Sequence, residues 1–202
     1  MVACNTASAY ALDEIEKETD IPMIGVVKPG AKVASEATRN GKIGVIATEG
    51  TIGSGIYSRY IKEINKDAEV FGKACPLFVP LVEEGLLQDP VTDEIAKRYL
   101  AELIDIDIDT LVLGCTHYPL IRKTVGKTMG EDVTLVNPAY ETARELKELL
   151  AEKNLLREEE CGLGDDKYRF FVSDSSEKFK RFANSIIKYG ILSAKTINIE
   201  EY

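Results

Sequence analysis

The feature that most constrains the fold is a regular alternation of short apolar runs with longer amphipathic segments along almost the whole chain. The apolar runs predict strands, and the amphipathic segments predict helices. Strands that alternate with helices pack as a mostly parallel sheet covered by helices, so we predict an α/β fold. The predicted strands are 23–27, 42–47, 69–73, 110–113, 133–136 and 168–172, and the predicted helices are 5–17, 30–39, 53–65, 92–104, 120–129, 138–153 and 176–189.

Composition narrows the class of protein. The chain has 202 residues, enough for one large domain or two small ones, and 45% of them are hydrophobic. No apolar run approaches the length of a membrane span, and Met1 is not followed by the basic and apolar regions of a secretory signal. A net charge of −9 argues against general nucleic-acid binding. A small anionic substrate remains compatible with that charge, because helix N-termini bind carboxylates.

The chain has four cysteines, and their spacing matches no zinc-binding pattern. His117 is the only histidine, so we expect no metal site built on histidines. Reduced thiols are the expectation for a cytosolic chain of this size. We predict that Cys75 is structural and that Cys161 is an incidental thiol in an exposed acidic loop at 156–167.

Two cysteines lie in similar motifs, Ala-Cys-Asn-Thr-Ala at 3–7 and Gly-Cys-Thr-His-Tyr-Pro at 114–119. Cys115 follows the predicted strand 110–113, and open α/β sheets bind ligands at the carboxyl ends of their strands. Inversion of an α-carbon needs a base on one face and an acid on the other, and thiols suit both roles. Cys4 and Cys115 are therefore candidates for a cofactor-free racemase. The alternative is that both are buried core cysteines.

Two further side chains are candidates for proton transfer. His117 lies two residues beyond Cys115 and is placed to accept or relay its proton. The alternative for His117 is a histidine that caps a helix or is hydrogen-bonded in the core. Glu83 follows the apolar stretch 76–82, and we expect such surroundings to perturb the pKa of a carboxyl group. The alternative is that Glu83 and Glu84 form a solvated helix start.

A turn rich in hydroxyl groups and glycine follows the predicted strand 42–47. It contains Thr48, Thr51 and Ser54, which are placed to hold an anion at a helix N-terminus. The turn lacks the Gly-Lys-Ser/Thr ending of a P-loop. The alternative is simple capping of a helix.

Taken together, these motifs resemble the glutamate racemases, which are cofactor-independent members of the aspartate/glutamate racemase superfamily. The resemblance rests on residues 2–9, 44–48 with Thr51, 75–85, 113–120 and 136–138, and on the 111-residue separation of Cys4 and Cys115. It runs through essentially the whole chain.

The resemblance implies a role for each candidate residue. Cys4 and Cys115 are the acid/base thiols on opposite faces of the substrate. His117 assists Cys115, and Glu83 supports the environment of that second thiol. The residues implied to contact the amino acid are Asn5, Thr6, Thr48, Thr51 and Thr116.

The resemblance also implies an architecture and a cellular role. Two flavodoxin-like, doubly wound domains with mostly parallel sheets face each other across a central site. Residues 1–28 and 138–202 form the first, incomplete domain, and residues 29–137 form the second. The implied enzyme interconverts L- and D-glutamate without a cofactor such as pyridoxal phosphate, and without a metal. It works in the cytoplasm, supplies D-glutamate for peptidoglycan and cell shape, and forms a homodimer, with no nucleic-acid or membrane partner.

The sequence departs from the family at its start. The family has an N-terminal segment that carries Asp-Ser-Gly and Pro-Tyr-Gly motifs, and neither motif occurs in these residues. No strand precedes Cys4, so we expect residues upstream of Met1 to belong to the working protein. We expect the chain by itself to have low stability and little or no activity, because missing strands leave sheet edges and apolar surface exposed.

Three other functions stay open at this level. One is a racemase for aspartate or a similar acid, which relative rates on the two amino acids would distinguish. Another is a thiol hydrolase that uses Cys115 and His117, which covalent labelling of Cys115 by an acyl-type substrate would indicate. The third is a non-catalytic remnant that binds a partner, for which glutamate binding without turnover would be evidence.

Overall fold

The predicted α/β class with a parallel sheet is confirmed by the structure, a computed structural model that describes residues 1–157, 168–187, 190–191 and 193–201. The chain forms two compact units, Met1–Leu155 and Leu156–Tyr202. The division at residues 28 and 138 that the family resemblance implies stays a prediction. Cys161 and most of the predicted acidic loop lie outside the described residues.

The first unit contains nine helices and four strands among its described residues. The strands are β1 (Lys42–Ala47), β2 (Glu69–Ala74), β3 (Thr110–Gly114) and β4 (Thr134–Val136). The helices are α1 (Asn5–Tyr10), α2 (Leu12–Glu18), α3 (Val27–Ala37), α4 (Glu49–Gly53), α5 (Ile56–Ile64), α6 (Phe78–Glu83), α7 (Pro90–Asp105), α8 (Arg122–Met129) and α9 (Pro138–Glu152). A 3₁₀ turn at Tyr118–Ile121 precedes α8.

The four strands form one parallel sheet in the order β2-β1-β3-β4. Ala47 at the end of β1 pairs with Ala74 of β2 on one side and with Gly114 of β3 on the other. Every residue of β3 is buried, as expected for a strand whose two faces are both covered.

Helices cover both faces of the sheet. On one face, Val45 and Val112 pack in a core with apolar residues of α3 and α5, and α3 also packs against α9. On the other face, a Cβ atom added to Gly44 would lie 2.4 Å from Cδ1 of Ile108 and 3.5 Å from Cδ1 of Leu103 in α7. The sheet is therefore doubly wound, with apolar side chains packed on each side.

Two helix starts follow from local sequence. The Asn137 side chain accepts the N–H of Ala139, and Pro138 is the first residue of α9. Asp89 and Pro90 begin α7 in the same way. An oxygen-bearing cap followed by proline satisfies a free backbone N–H and sets the first helical φ angle. The predicted start of α9 at residue 138 is confirmed, and α7 begins at Pro90, two residues before the predicted start at residue 92.

The predicted and observed elements differ most in three places. The predicted strand at 23–27 is wrong: only one bridge joins Val2 to Gly25, and α3 begins at Val27. The predicted helix at 5–17 is two helices, which meet at Ala11. Helix α6 was not predicted, because its apolar residues and Pro80 do not show a helical period. Short apolar runs fit a strand or a buried helix equally well until their packing partners are known.

The described part of the second unit holds two short parallel strands, β5 (Phe171–Val172) and β6 (Lys195–Thr196). Helix α10 (Ser176–Ile186) is capped by Ser175, whose hydroxyl accepts the N–H of Lys178 at 3.2 Å. A 3₁₀ turn at Ile199–Glu201 follows β6. Across the described ranges of both units, no helix combines the length and the apolar composition that a membrane crossing requires.

Candidate active site

The carboxyl edge of the first unit's sheet collects most of the predicted site residues. Thr48 follows β1 and Cys115 follows β3, directly after the paired residues Ala47 and Gly114. The chain leaves β1 for β2 on one side and then crosses to β3 on the other side. The strand order therefore switches between β1 and β3, and such a switch creates a crevice where α/β proteins bind ligands.

Cys4 lies at the start of α1, in the position that caps the helix. Its Sγ atom accepts the backbone N–H of Ala7 at 3.4 Å. The side chain is exposed, so the core alternative is wrong for Cys4. Cys4 is instead an accessible thiol in contact with a backbone donor.

Three threonine hydroxyls connect α1 to the turn after β1. Oγ1 of Thr6 lies 2.8 Å from Oγ1 of Thr48 and 2.9 Å from Oγ1 of Thr51, and these last two are 3.1 Å apart. Thr48 also caps α4, accepting the N–H of Thr51 at 3.3 Å, so the capping alternative holds for Thr48. Ser54 is not part of this cluster, because its hydroxyl donates to the carbonyl of Thr51. The cluster places Cys4 and Asn5, which directly precede Thr6, over the ends of the strands.

Cys115 is buried, with 8% of its surface exposed. Burial raises the pKa of its thiol, while N–H groups of His117 and Tyr118 and the hydroxyl of Thr116 act in the opposite direction. A negative charge on Cys4 raises the pKa of Cys115 further. The two cysteines are therefore close enough for the charge of one to affect the other.

His117 lies between Cys115 and Glu83. Its Nδ1 atom is 3.9 Å from Sγ of Cys115 and 3.3 Å from Oγ1 of Thr116. Its Nε2 atom is 3.4 Å from Oε1 of Glu83. Glu83 is the last residue of α6, so the alternative that it begins a helix is wrong. A carboxylate, an imidazole and a thiol thus follow one another in space.

The start of α6 is held against the turn that carries Cys115. The Tyr118 hydroxyl donates to the carbonyl of Cys75 at 2.8 Å, and Phe78 packs edge-on against Tyr118 and Tyr99 with ring centres 5.3 Å apart. Cys75 is fully buried, which raises the pKa of its thiol to about 12. The prediction that Cys75 is structural is confirmed.

Asn5 is buried beside the two cysteine motifs. Its Oδ1 atom accepts a hydrogen bond of 2.7 Å from the hydroxyl of Tyr57 in α5. Asn5, Cys115 and Thr116 line a cavity of about 220 Å³, whose other walls include Leu113 and apolar residues of α9. Sequence reasoning missed Tyr57, because a tyrosine on the apolar stripe of a helix indicates a core residue.

The structure thus brings the predicted residues into two connected groups. One joins Thr6, Thr48 and Thr51, and the other joins Cys115, Thr116, His117 and Glu83. Asn5 lines the cavity with Cys115 and Thr116, and Cys4 directly precedes Asn5 in the chain. In the described part of the chain, no three His, Cys, Asp or Glu side chains are grouped so as to hold a metal ion. What this arrangement offers chemically is two thiols and a carboxylate–imidazole pair beside a set of hydroxyl groups.

Comparison with known proteins shows which family the chain belongs to. Residues 1–146 match the model of the Asp/Glu/Hydantoin racemase family. The glutamate racemase of Geobacter metallireducens is 48% identical over 188 residues, which cover 93% of this chain and 68% of that protein. A crystal structure of a glutamate racemase isoform from Bacillus anthracis has a TM-score of 0.90 and 38% identity, over 98% of this chain and 74% of that one.

A second solved structure, of glutamate racemase from Francisella tularensis in complex with D-glutamate, has a TM-score of 0.88. It is 33% identical and covers 98% of this chain and 73% of its own. The chain therefore spans between about two thirds and three quarters of the length of these relatives. With the family model matched over most of its length and close similarity to several members, the chain belongs to the glutamate racemases of the Asp/Glu/Hydantoin racemase family.

Proposed function

We propose that the chain interconverts L- and D-glutamate by proton transfer between the substrate and two thiols, Cys4 and Cys115. The observation that carries the proposal is their relation at the carboxyl edge of the sheet. Cys4 is exposed, Cys115 lines a cavity, and a charge on Cys4 raises the pKa of Cys115. Two thiols that interact in this way suit a reaction that exchanges one proton between them.

The reaction needs one thiolate and one thiol at the start. The thiolate removes the α-proton from one face of glutamate, which leaves a carbanion stabilised by the adjacent carboxylate. The second thiol donates its proton to the opposite face, so the configuration at the α-carbon is inverted. Afterwards the two sulfur atoms have exchanged protonation states, and the same steps in reverse convert the other enantiomer. Both proton transfers use side chains of the chain itself, so the proposal includes no cofactor and no metal.

We assign His117 and Glu83 to the Cys115 side of the reaction. The imidazole approaches Sγ of Cys115 through Nδ1, and the Glu83 carboxylate approaches Nε2. A carboxylate at one ring nitrogen orients the imidazole, so that the other nitrogen faces the thiol. The pair is therefore placed to accept or relay the proton of Cys115.

Asn5 and the threonines are proposed to hold the substrate. The hydroxyls of Thr6, Thr48 and Thr51 are hydrogen-bonded to one another. Because a hydroxyl group can rotate, these hydroxyls can reorient to donate to a substrate carboxylate. Thr116 lines the cavity with Asn5 and Cys115, where it is placed to contact the amino acid. The Francisella tularensis racemase, with its bound D-glutamate, supports this substrate for a related chain.

The cellular role is part of the same proposal. D-Glutamate made by this reaction supplies peptidoglycan synthesis in the cytoplasm, as the family resemblance implies. We also propose a homodimer. Light scattering of the purified protein, coupled to size-exclusion chromatography, tests the dimer: a single species with the mass of one chain would contradict it.

The function is tested by incorporation of solvent deuterium at the α-carbon of L- and D-glutamate, followed by proton NMR. Exchange with both enantiomers that is lost in Cys4→Ala and in Cys115→Ala would support the proposal and would overturn the expectation, drawn from the missing N-terminal motifs, of little or no activity. Cys75→Ala is the matched control, because Cys75 is a buried thiol outside the site. No exchange from a folded sample would contradict the proposal, and faster exchange of aspartate than of glutamate would favour an aspartate racemase.

A further inference from the structure

Among the described residues, the hydroxyl of Tyr57 has one hydrogen-bond partner, and that partner is a side chain of the proposed site. Its hydroxyl donates to Oδ1 of Asn5 at 2.7 Å, and both residues are buried, with 3% of Tyr57 and 5% of Asn5 exposed. Burial, followed by the effect of a charge on Cys115, raises the pKa of Tyr57. The phenol therefore stays protonated, and it acts as a donor.

This hydrogen bond fixes which end of the Asn5 amide faces the cavity. Because Oδ1 accepts from Tyr57, the amide nitrogen must lie on the other side of the side chain. Within the described ranges of the chain, that nitrogen donates to no protein atom. Asn5 also lines the cavity with Cys115 and Thr116. Its two N–H groups are thus available to a carboxylate in that cavity.

The ring of Tyr57 lies against β3, which leads to Cys115, and against α3. A Cβ atom added to Gly114 would lie 3.2 Å from Cε2 of Tyr57, and one added to Gly30 would lie 3.2 Å from its hydroxyl oxygen. Glycine at these two positions lets the ring fit between β3 and α3. Tyr57 therefore contacts the residue before Cys115 and, through its hydroxyl, the residue after Cys4.

We propose that Tyr57 is a positioning residue, which orients the Asn5 amide so that its N–H groups bind a substrate carboxylate between Cys4 and Cys115. The proposal rests on the proposed function for its substrate. Tyr57 does not touch the substrate itself, and its effect passes through Asn5. The contact that it prepares is the same in the ground state and in the transition state, so its loss weakens binding more than it slows the chemical step.

The test compares Tyr57→Phe with Tyr60→Phe in the complete chain. Tyr60 is on the same helix, and its hydroxyl contacts Arg59 rather than Asn5. For Tyr57→Phe we expect the KM for glutamate to rise roughly tenfold while kcat changes less than about threefold, and for Tyr60→Phe we expect both to stay near wild type. Thermal unfolding followed by circular dichroism checks that each variant is folded.

A double-mutant cycle separates positioning from a general structural effect. Asn5→Ala should raise KM at least as much as Tyr57→Phe, and Tyr57→Phe should add nothing further in the Asn5→Ala background. Additive effects of the two substitutions, or an unchanged KM in Asn5→Ala, would overturn the proposal. The second result is informative even where Tyr57→Phe does not fold.

A readout without turnover distinguishes this proposal from the proposed function. The side-chain amide signals of Asn5 in a ¹⁵N NMR spectrum are identified by their loss in Asn5→Ala. We expect them to shift in Tyr57→Phe and to stay in place in Tyr60→Phe. Unchanged signals in Tyr57→Phe would overturn the positioning role, whatever the activity. If wild type shows no exchange of glutamate, the proposed function fails, while a shift of these signals still supports the orientation of Asn5 by Tyr57.

Discussion

Oε1 of Glu83 lies 3.4 Å from Nε2 of His117, although one residue ends α6 and the other belongs to the turn after β3. The opposite nitrogen of the same imidazole is 3.9 Å from Sγ of Cys115. The histidine is therefore oriented by a carboxylate on one side while it faces a thiol on the other. An oriented imidazole of this kind is a common means of activating a cysteine thiol.

Removal of the Glu83 charge should slow proton transfer at Cys115. Glu83→Gln keeps the size of the side chain but removes the negative charge that faces Nε2 of His117, so we expect kcat for glutamate to fall by at least about tenfold. Steady-state kinetics with each enantiomer measure the effect. Glu84→Gln is the matched control, because Glu84 is the exposed neighbour just beyond the end of α6. Equal losses in the two variants would show that the Glu83–His117 contact has no special role.

The pH dependence of kcat/KM should reveal the protonation state of Cys115. Burial raises the pKa of this thiol, so the thiol form persists to a higher pH than for an ordinary cysteine of pKa about 8.5. In the direction of reaction that uses Cys115 as the base, kcat/KM should therefore rise with pH, with a midpoint above that value. In the opposite direction Cys115 must be protonated, so kcat/KM should fall as the pH rises through the same midpoint. Rates measured from pH 6 to 10 check both directions, and a rising limb centred below about pH 7 in each would contradict the assignment.

A side chain at position 114 should disturb the site through packing alone. A Cβ atom added to Gly114 would lie 2.9 Å from the carbonyl oxygen of Ile46 and 3.1 Å from Cβ of Ala47. Displacing the backbone of β1 is energetically costly, so Gly114→Ala should lower the free energy of unfolding by about 1–3 kcal/mol and displace Cys115. Urea denaturation measures the stability. Gly53→Ala is the control, because no atom lies within 4 Å of its added Cβ. Matching stabilities for the two variants would refute the packing argument.

Asp109 should make the free energy of unfolding depend on pH in the acid range. Its burial acts to raise its pKa, but hydrogen bonds from the Thr38 hydroxyl, the backbone N–H groups of Asn40 and Arg39, and the Thr110 hydroxyl together lower the pKa below its usual value. A lowered folded-state pKa contributes stability above the unfolded value of about 3.9, and this contribution is lost as the pH falls.

Asp109→Asn should therefore lower the free energy of unfolding at pH 7 by about 2 kcal/mol, since an amide cannot accept all four donors. The difference from wild type should shrink between pH 5 and pH 3. Urea denaturation across this range measures both. Asp107→Asn is the control: Asp107 is exposed and has a φ angle of 63°, which asparagine also tolerates. A constant difference between Asp109→Asn and wild type at every pH would count against the charge of Asp109 as the cause.

Local sequence was sufficient to predict many of the helices and strands. Caps such as Asn137 with Pro138 act on backbone groups within a few residues, so the starts of α7 and α9 follow from the sequence alone. The runs at β1 and β3 predict strands because a parallel sheet buries both faces. The run at 23–27 has a similar composition, yet it forms only a bridge at Gly25. Composition alone does not show whether a neighbouring strand is present to pair with.

The sequence predicted the residues of the candidate site but not the contacts between them. The motifs pointed to Cys4, Cys115 and His117, and their roles stay predictions until activity is measured. Nothing local indicated that Thr6 shares hydrogen bonds with Thr48 and Thr51, because these residues lie on different segments of the chain. The contact between Tyr57 and Asn5 was equally hidden, since an apolar helical stripe indicates burial without naming the neighbour of a hydroxyl group.

The sequence by itself determined the alternation of strands and helices, the caps that begin α7 and α9, and the two cysteine motifs, because each depends on interactions within a few residues. The tertiary structure alone decided that Glu83 meets His117, that Tyr57 meets Asn5, and that burial raises the pKa of Cys115. Those properties depend on the order of parallel strands in the sheet. That order brings distant segments together at one edge and removes them from water, and no local pattern specifies it.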